Sequence, residues 1–209
     1  MKLFYSPHSP FVRKVLVAAH EAGVTDRIEL LKSAAGPVAR DAEIVALNPL
    51  GQVPTLLDDD GSMIADSRVI CEYLDSLGTG ALFPKSGDQR WIALVEQSAV
   101  DGMLAAALLC RYERLIRPAE VQWDGWYDGQ FEKIISSLDF FAGRAAGLAG
   151  RVDIGTLSIA CALSYLDHRF GDFDWRSDRP ALAEWYTQYA KRPSMQDTTL
   201  GVSKVEGMV

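Results

Sequence analysis

Ser9, Pro10 and Phe11 are the first residues along the chain whose types and spacing suggest chemistry. Serine is a preferred N-cap and proline is preferred at the first helical position, so the pattern predicts that Ser9 caps a helix. The same position places a hydroxyl at the positive end of a helix, beside backbone N–H groups that would stabilise an anion. The pKa of a thiol held there would be lowered, which makes the thiol nucleophilic near neutral pH. The spacing alone favours the capping interpretation.

Val53 and Pro54 form the second candidate, inside a predicted strand. A proline removes a donor from the strand ladder, so it belongs at the start of a strand or at an exposed edge. A cis bond would expose the Val53 backbone to an extended peptide, which could add as a strand. The sequence leaves cis and trans open, with trans as the default.

Asp66 and Ser67 open another predicted helix and form the third candidate. An ordinary helix cap is one interpretation. In the other interpretation, the Ser67 hydroxyl and the backbone N–H groups receive an anion while Asp66 holds an ammonium group. A ligand that carries both charges, such as the end of an amino acid, would fit this pair.

Asp153 and Thr156 precede a helix that is apolar nearly all round and is therefore expected to be buried. Either residue is a possible N-cap. Neither is followed three residues later by Glu or Gln, so the sequence does not predict the usual capping box. We interpret this segment as purely structural.

Metal and disulfide chemistry find little support in the sequence. The three histidines lie far apart in the sequence, at His8, His20 and His168. They therefore lack the spacing of metal ligands. The cysteines are odd in number and form no CxxC pair, at Cys71, Cys110 and Cys161. This pattern favours the interpretation that they are small buried apolar residues in a reducing compartment. The chain also lacks the GxSxG, P-loop and GxGxxG patterns. We expect no metal.

The composition is typical of a globular protein of one large or two small domains, with 209 residues. The net charge of −7, from 21 Lys and Arg against 28 Asp and Glu, gives no support to a nucleic-acid partner. The N-terminus runs directly into a strand-like segment without a signal-peptide pattern. No apolar stretch is expected to span a bilayer. These features predict a cytoplasmic protein with no membrane partner.

The elements that must position the candidates divide the chain into two halves. The first half reads β-α-β-α-β-β-α, from the 3.6-residue and two-residue apolar periods and their turn signals. Its predicted elements are Leu3–Tyr5, Ser9–Ala22, Arg27–Leu31, Asp41–Leu47, Val53–Leu57, Ser62–Ile64 and Asp66–Leu77. The second half is predicted to be helical over Trp91–Leu115, Asp124–Leu148, Asp153–Arg169 and Pro180–Lys191. The predicted domains are residues 1–77 and 89–209, joined by a linker over 78–88.

Four segments, in this order, resemble the cytosolic glutathione transferase superfamily over nearly the whole chain. They are KLFYSPHSPFVRKV, NPLGQVPTLLDDDG, IADSRVICEYLD and RPALAEWYTQYAKRPSM. The SPFVRK segment is similar to that of a bacterial serine-type branch and of the omega class, with Ser in place of its Cys. The resemblance implies a thioredoxin-like N-terminal domain, an all-α C-terminal bundle, a homodimer, and glutathione as co-substrate.

The resemblance also implies roles at the cleft. Ser9 matches the residue that meets the glutathione sulfur, with Tyr5 and Ser6 as competing candidates. Val53 matches the residue before the cis-proline, here Pro54, and its backbone would pair with the cysteine of glutathione.

At the two ends of glutathione, Asp66 and Ser67 match the pair that holds the γ-glutamyl group. Arg40 lies where related sequences carry a lysine for the glycine carboxylate, and Lys32 is the competing candidate. In this family the buried helix usually starts with Ser or Thr and has Asp three residues later. Thr156 fits the first position, but Ile159 replaces the Asp, so we expect its reciprocal cap to be missing.

The implied activity is addition of the glutathione thiolate to a small, largely apolar electrophile, as in detoxification. The second-substrate pocket is predicted between Phe11 and the helical residues Met103, Ala107 and Arg111. Two alternatives stay open: a glutathione-dependent isomerase or dehalogenase, and a non-catalytic binding protein of the same family. A thiol–disulfide reductase is disfavoured, because Ser9 cannot form a mixed disulfide.

Overall fold

The first half of the chain builds one four-stranded mixed sheet with helices. Residues 1–204 are described in the computed structural model of the protein. The elements of this half are β1 (Lys2–Tyr5), α1 (Pro10–Ala22), β2 (Glu29–Lys32), α2 (Ala42–Leu47), β3 (Thr55–Leu57), β4 (Met63–Ile64) and α3 (Ser67–Leu77). The strand order is β2-β1-β3-β4, with β1 parallel to β2 and antiparallel to β3. The predicted element order and the thioredoxin-like fold are confirmed.

The second half is helical, as predicted. Its helices are α4 (Gly87–Leu115), α5 (Asp124–Ala142), α6 (Ile154–Arg169), α7 (Pro180–Tyr189) and α8 (Pro193–Gln196). Helix α6 packs against α4 and also against α1, so it joins the two halves. The side chains of α6 are buried from Ile154 to Leu166, which confirms the predicted buried helix.

Two predicted helix limits were wrong. Helix α4 begins at Gly87, inside the segment predicted as a linker, and not at Trp91. Helix α5 ends at Ala142, and a separate 3₁₀ turn covers Ala145–Leu148. Gly143 follows α5 in a right-handed conformation, and its N–H donates to the Asp139 carbonyl oxygen at 3.0 Å.

The start of α6 corrects the prediction of a missing reciprocal cap. Asp153, rather than Thr156, is the N-cap, and its carboxylate accepts the Thr156 N–H at 3.0 Å. The Thr156 hydroxyl in turn accepts the Asp153 N–H at 3.1 Å. This is a complete capping box with the acidic and hydroxyl residues exchanged. The sequence rule failed because it required an acidic residue in the second position.

By length and composition alone, helix α4 is long and apolar enough to cross a membrane. The prediction that no apolar stretch of the chain could span a bilayer was therefore wrong. The core helix of a soluble protein passes the same test. In this structure α4 packs along α5 and α6, and its buried face includes Val100 and Leu104. We interpret α4 as a core helix of the bundle.

Candidate functional site

A cleft of about 580 Å³ brings together the candidate residues of the first half. It opens between the segments around β3 and α3 on one side and α4 on the other. The predicted site residues that line it are Phe11, Val53, Pro54, Asp66 and Ser67. Residues that lie far apart in the sequence therefore border one space.

The Val53–Pro54 peptide bond is cis, which decides the choice that the sequence left open. Pro54 directly precedes β3, so the proline lies outside the strand ladder, as its missing donor requires. The buried Thr55 hydroxyl accepts a hydrogen bond from the Asn48 side chain at 2.8 Å and donates one to the Gln52 carbonyl at 2.7 Å. These two bonds fix the loop that carries Val53 to the cleft.

Asp66 is the N-cap of α3, and Ser67 is the first residue of that helix. The Asp66 carboxylate accepts the backbone N–H of Arg68 at 2.9 Å and the guanidinium of Arg68 at 2.8 Å. The Arg68 guanidinium lowers the pKa of Asp66, so the carboxyl is ionised at neutral pH. The Ala65–Asp66 peptide bond is also cis. A helix start with a nearby carboxylate can receive an anion and an ammonium group together.

Arg40 lies at the rim of this cleft, where its guanidinium donates to the Pro49 carbonyl oxygen. Pro49 itself lines the cleft. The competing candidate Lys32 ends β2, the edge strand on the opposite side of the sheet from β4. The geometry therefore favours Arg40 over Lys32 as a cleft residue.

Ser9 caps α1, and its hydroxyl oxygen accepts the Val12 N–H at 3.2 Å. Within residues 1–204 the Ser9 hydroxyl donates no hydrogen bond, so its proton is free for a ligand. The side chain does not line the 580 Å³ cleft; it borders a separate small gap together with Tyr5 and Lys204. Phe11, two residues later, is the residue of α1 that reaches the cleft.

Tyr5 is engaged elsewhere. Its hydroxyl donates to the Val202 carbonyl oxygen at 3.1 Å and accepts the Lys204 N–H at 3.4 Å. Burial raises the pKa of Tyr5. A tyrosine bonded to the C-terminal segment in this way has little capacity left to hold a thiolate.

The four residues predicted for the second-substrate pocket do not share this cleft: Phe11 lines it, and Arg111 does not. Met103 and Ala107 are buried in the core and line no part of the cleft. The face of α4 that borders the cleft carries Ser98, Asp101 and Gly102, which share one side of the helix because they lie three and four residues apart. The sequence pattern could not fix the rotation of α4.

Asp101 is a cleft residue that the sequence analysis did not predict, and Lys14 is its buried partner. The Lys14 ammonium, whose side chain is fully buried, lies 2.6 Å from Asp101 Oδ1. In the part of the chain that the structure describes, Asp101 Oδ2 is buried without a hydrogen-bond partner, although the Arg68 guanidinium is 3.8 Å away. Burial raises the pKa of Asp101, and Lys14 opposes that effect. A signal was present, because Asp101 is the only charged residue between Glu96 and Arg111.

The comparisons with known proteins give two family matches. Residues 8–77 match the model of the glutathione S-transferase N-terminal domain, and residues 124–188 match that of the C-terminal domain. The chain is 32% identical over 202 residues to the uncharacterized GST-like protein YibF of Escherichia coli. This similarity covers 95% of the chain and 98% of that protein.

Solved structures are similar over nearly the whole chain. A glutathione transferase family member from Pseudomonas fluorescens Pf-5, solved with bound glutathione, is 44% identical with a TM-score of 0.93, and 96% of this chain and 99% of that one are covered. A second structure from Pseudomonas fluorescens Pf-5, with bound S-(propanoic acid)-glutathione, is 43% identical with a TM-score of 0.89. The similarity covers 97% of this chain and 100% of that one.

Proposed function

Because this chain belongs to the glutathione S-transferase family, we propose that it binds glutathione in the cleft and transfers its thiolate to a small electrophile with a largely apolar body. The observation that carries the proposal is that the Val53 backbone and the start of α3 border one cleft. An extended peptide needs a strand-like partner for its backbone and an anion receptor for its carboxylate. The relatives from Pseudomonas fluorescens with bound glutathione or its propanoic acid conjugate support the same ligand.

The charges around the cleft fit the γ-glutamyl end of glutathione. The first backbone N–H groups of α3 have no partner within the helix and favour a carboxylate. The ammonium group would lie beside the Asp66 carboxylate, which also accepts from the Arg68 guanidinium. Arg40 at the opposite rim supplies the positive charge that the glycine carboxylate requires.

Ser9 is proposed to act on the sulfur. Its free hydroxyl proton would donate to the thiolate, and the N-terminus of α1 adds the positive end of the helix dipole. Both effects lower the pKa of the glutathione thiol and keep its sulfur ionised near neutral pH. The sulfur then forms the new bond to carbon while the leaving group departs with its electron pair. Binding both reactants side by side contributes the rest of the rate.

The test is Ser9→Ala, assayed with glutathione and 1-chloro-2,4-dinitrobenzene, with Ser6→Ala as the matched control in the same loop. Hydrogen bonds to charged groups contribute about 1.5–3 kcal/mol, so we expect kcat/KM to fall about tenfold to a hundredfold. The absorbance of the bound thiolate should titrate at higher pH in Ser9→Ala and stay unchanged in Ser6→Ala. Unchanged turnover and thiolate absorbance in Ser9→Ala would refute its role.

The same assay separates the rival activities. An isomerase would leave the glutathione concentration constant while its substrate is converted. A binding protein would show a thermal shift with glutathione and no turnover of any electrophile. Consumption of glutathione in step with product supports the transferase.

We also propose a homodimer in the cytoplasm. Apolar side chains are exposed together on α3 and α4, namely Val69, Trp91, Ile92 and Val95. Contiguous exposed apolar surface of this kind marks an interaction site, and most soluble oligomers are symmetric copies of one chain. The three cysteines are free and buried, which fits a reducing compartment. Light scattering that gives a monomer mass would contradict the dimer.

A further inference from the structure

Four basic side chains gather where the loop before α1 meets α4 and the end of α6. They are His8, Arg111, His168 and Arg169. His8 Nδ1 lies 3.1 Å from His168 Nε2. The two rings stack, with centroids 5.3 Å apart and planes inclined by 12°. Arg111 and Arg169 are close enough to act electrostatically on both rings.

The two arginines of this basic cluster lack the partners that the others have. Of the 14 arginines in the sequence, twelve make a hydrogen bond or an ion pair within residues 1–204. Arg111 and Arg169 make neither within that range. The Nε of Arg169 is buried and has no hydrogen-bond acceptor among the described residues. A buried donor without an acceptor costs stability, so it points to an acceptor supplied from outside.

Within residues 1–204, no carboxylate is paired with the two arginines of the basic cluster. Burial lowers the pKa of Arg169, and the neighbouring Arg111 lowers it further. Burial and the two arginines likewise lower the pKa of His8 and bring that of His168 to about 4. At neutral pH both imidazoles are neutral, whereas guanidinium groups keep their charge. The cluster then presents two cations that repel one another.

We propose that Arg111 and Arg169 bind a carboxylate of the second substrate, which is therefore an electrophile that carries an acid group. This inference rests on the proposed transferase function. His8 precedes Ser9 in the chain, so the basic cluster lies beside the proposed position of the sulfur. A guanidinium donates two parallel hydrogen bonds to a carboxylate and orients it as well as holding it.

The reaction that follows is a substitution at carbon. The glutathione thiol gives its proton to solvent, and the thiolate sulfur attacks the carbon that bears the halogen. A carbon–sulfur bond forms, the carbon–halogen bond breaks, and halide leaves with the electron pair. The carboxylate takes no part in these steps and serves only to position the reacting carbon.

Two probes with the same reacting carbon test the proposal: 4-chloro-3-nitrobenzoate and its methyl ester. The measured quantity is the ratio of kcat/KM for the acid to kcat/KM for the ester. We expect Arg111→Gln and Arg169→Gln to lower this ratio about tenfold to a hundredfold, because each removes charged hydrogen bonds. Arg114→Gln, one turn further along α4 and already paired with Asp124 at 2.7 Å, should keep the wild-type ratio.

If both Arg111→Gln and Arg169→Gln keep the wild-type ratio of kcat/KM for the acid to kcat/KM for the ester, the proposal that these arginines bind the carboxylate is overturned. So would a large rise in the KM for glutathione, since that would place a glutathione carboxylate at these arginines. Arg169→Lys keeps the charge and should recover part of the lost ratio. If Arg169→Gln fails to fold, Arg111→Gln and Arg169→Lys decide the question.

Direct binding separates failure of this inference from failure of the transferase proposal. Titration calorimetry with 3-nitrobenzoate, which has no leaving group, measures the anion site without turnover. Binding that is lost in Arg111→Gln, with no turnover of either probe, would support the anion site and refute the transferase. Turnover of both probes, with 3-nitrobenzoate binding unchanged in the arginine variants, would support the transferase and refute the anion site.

Discussion

Asp101→Asn tests the buried contact that joins the two halves of the protein at the cleft. The substitution keeps the shape of the side chain and removes its charge. The Lys14 ammonium then stays fully buried without a carboxylate. Breaking a buried ion pair on one side is costly, because it leaves an uncompensated charge in the interior.

The size of the effect follows from the geometry. At the observed 2.6 Å, two unit charges attract by about 6 kcal/mol if the effective dielectric constant is about 20. Desolvation of both groups offsets part of that attraction, and single-partner removals cost about 3–5 kcal/mol in practice. For a chain of this length each kcal/mol shifts Tm by about 2–4 °C, so Asp101→Asn should lower Tm by about 6–20 °C.

Thermal and urea unfolding of four proteins complete the test: the wild type, Asp101→Asn, Lys14→Met and the double variant. We expect the double variant to be less destabilised than the sum of the two single variants by about 2 kcal/mol or more, since removing both charges leaves neither buried alone. An Asp101→Asn protein within about 1 kcal/mol of the wild type would refute the reasoning. So would additive effects in the double variant.

Three further predictions concern the fold and its pH dependence. Asp153→Ala removes the cap of α6 and should lower the free energy of unfolding by about 1–2 kcal/mol, against a smaller loss for Asp153→Asn; equal stability of the two variants in urea would contradict this. Gly78→Ala would press a Cβ against the Ala22 carbonyl oxygen and should cost about 1–3 kcal/mol. In contrast, Gly129→Ala meets nothing within 4 Å among the described residues and should gain up to about 1 kcal/mol. Both are measured by thermal unfolding, and a neutral Gly78→Ala would show that the approach is looser than described. The pKa of His168 falls from 6.5 to about 4 on folding, so the unfolded chain takes up this proton first and stability is lost as pH falls from 6.5 to 4. His168→Gln should flatten the dependence of Tm on pH in that range, and an equally steep profile would count against the buried neutral imidazole.

Much of the fold could be predicted from the sequence, because the signals are local. The order of strands and helices follows from apolar periods, and the limits of α1 follow from Ser9, Pro10 and Gly23. The two cleft motifs at Val53 and Asp66 were also visible as breaks in regular patterns. The start of α6 was predicted less well. The usual capping box has Ser or Thr first and the acidic residue three residues after it, whereas here Asp153 comes first and Thr156 follows.

The sequence by itself therefore determined the two halves and the caps of α1 and α3, and it marked the two motifs that line the cleft. Only the tertiary structure decided that Asp101 faces the cleft while Met103 lies in the core. It also decided that Lys14 meets Asp101, and that Arg111 and Arg169 share one basic cluster. The physical reason is that each residue turns a helix by about 100°, so apolar side chains on a buried helix leave its facing undetermined until the neighbouring elements are packed.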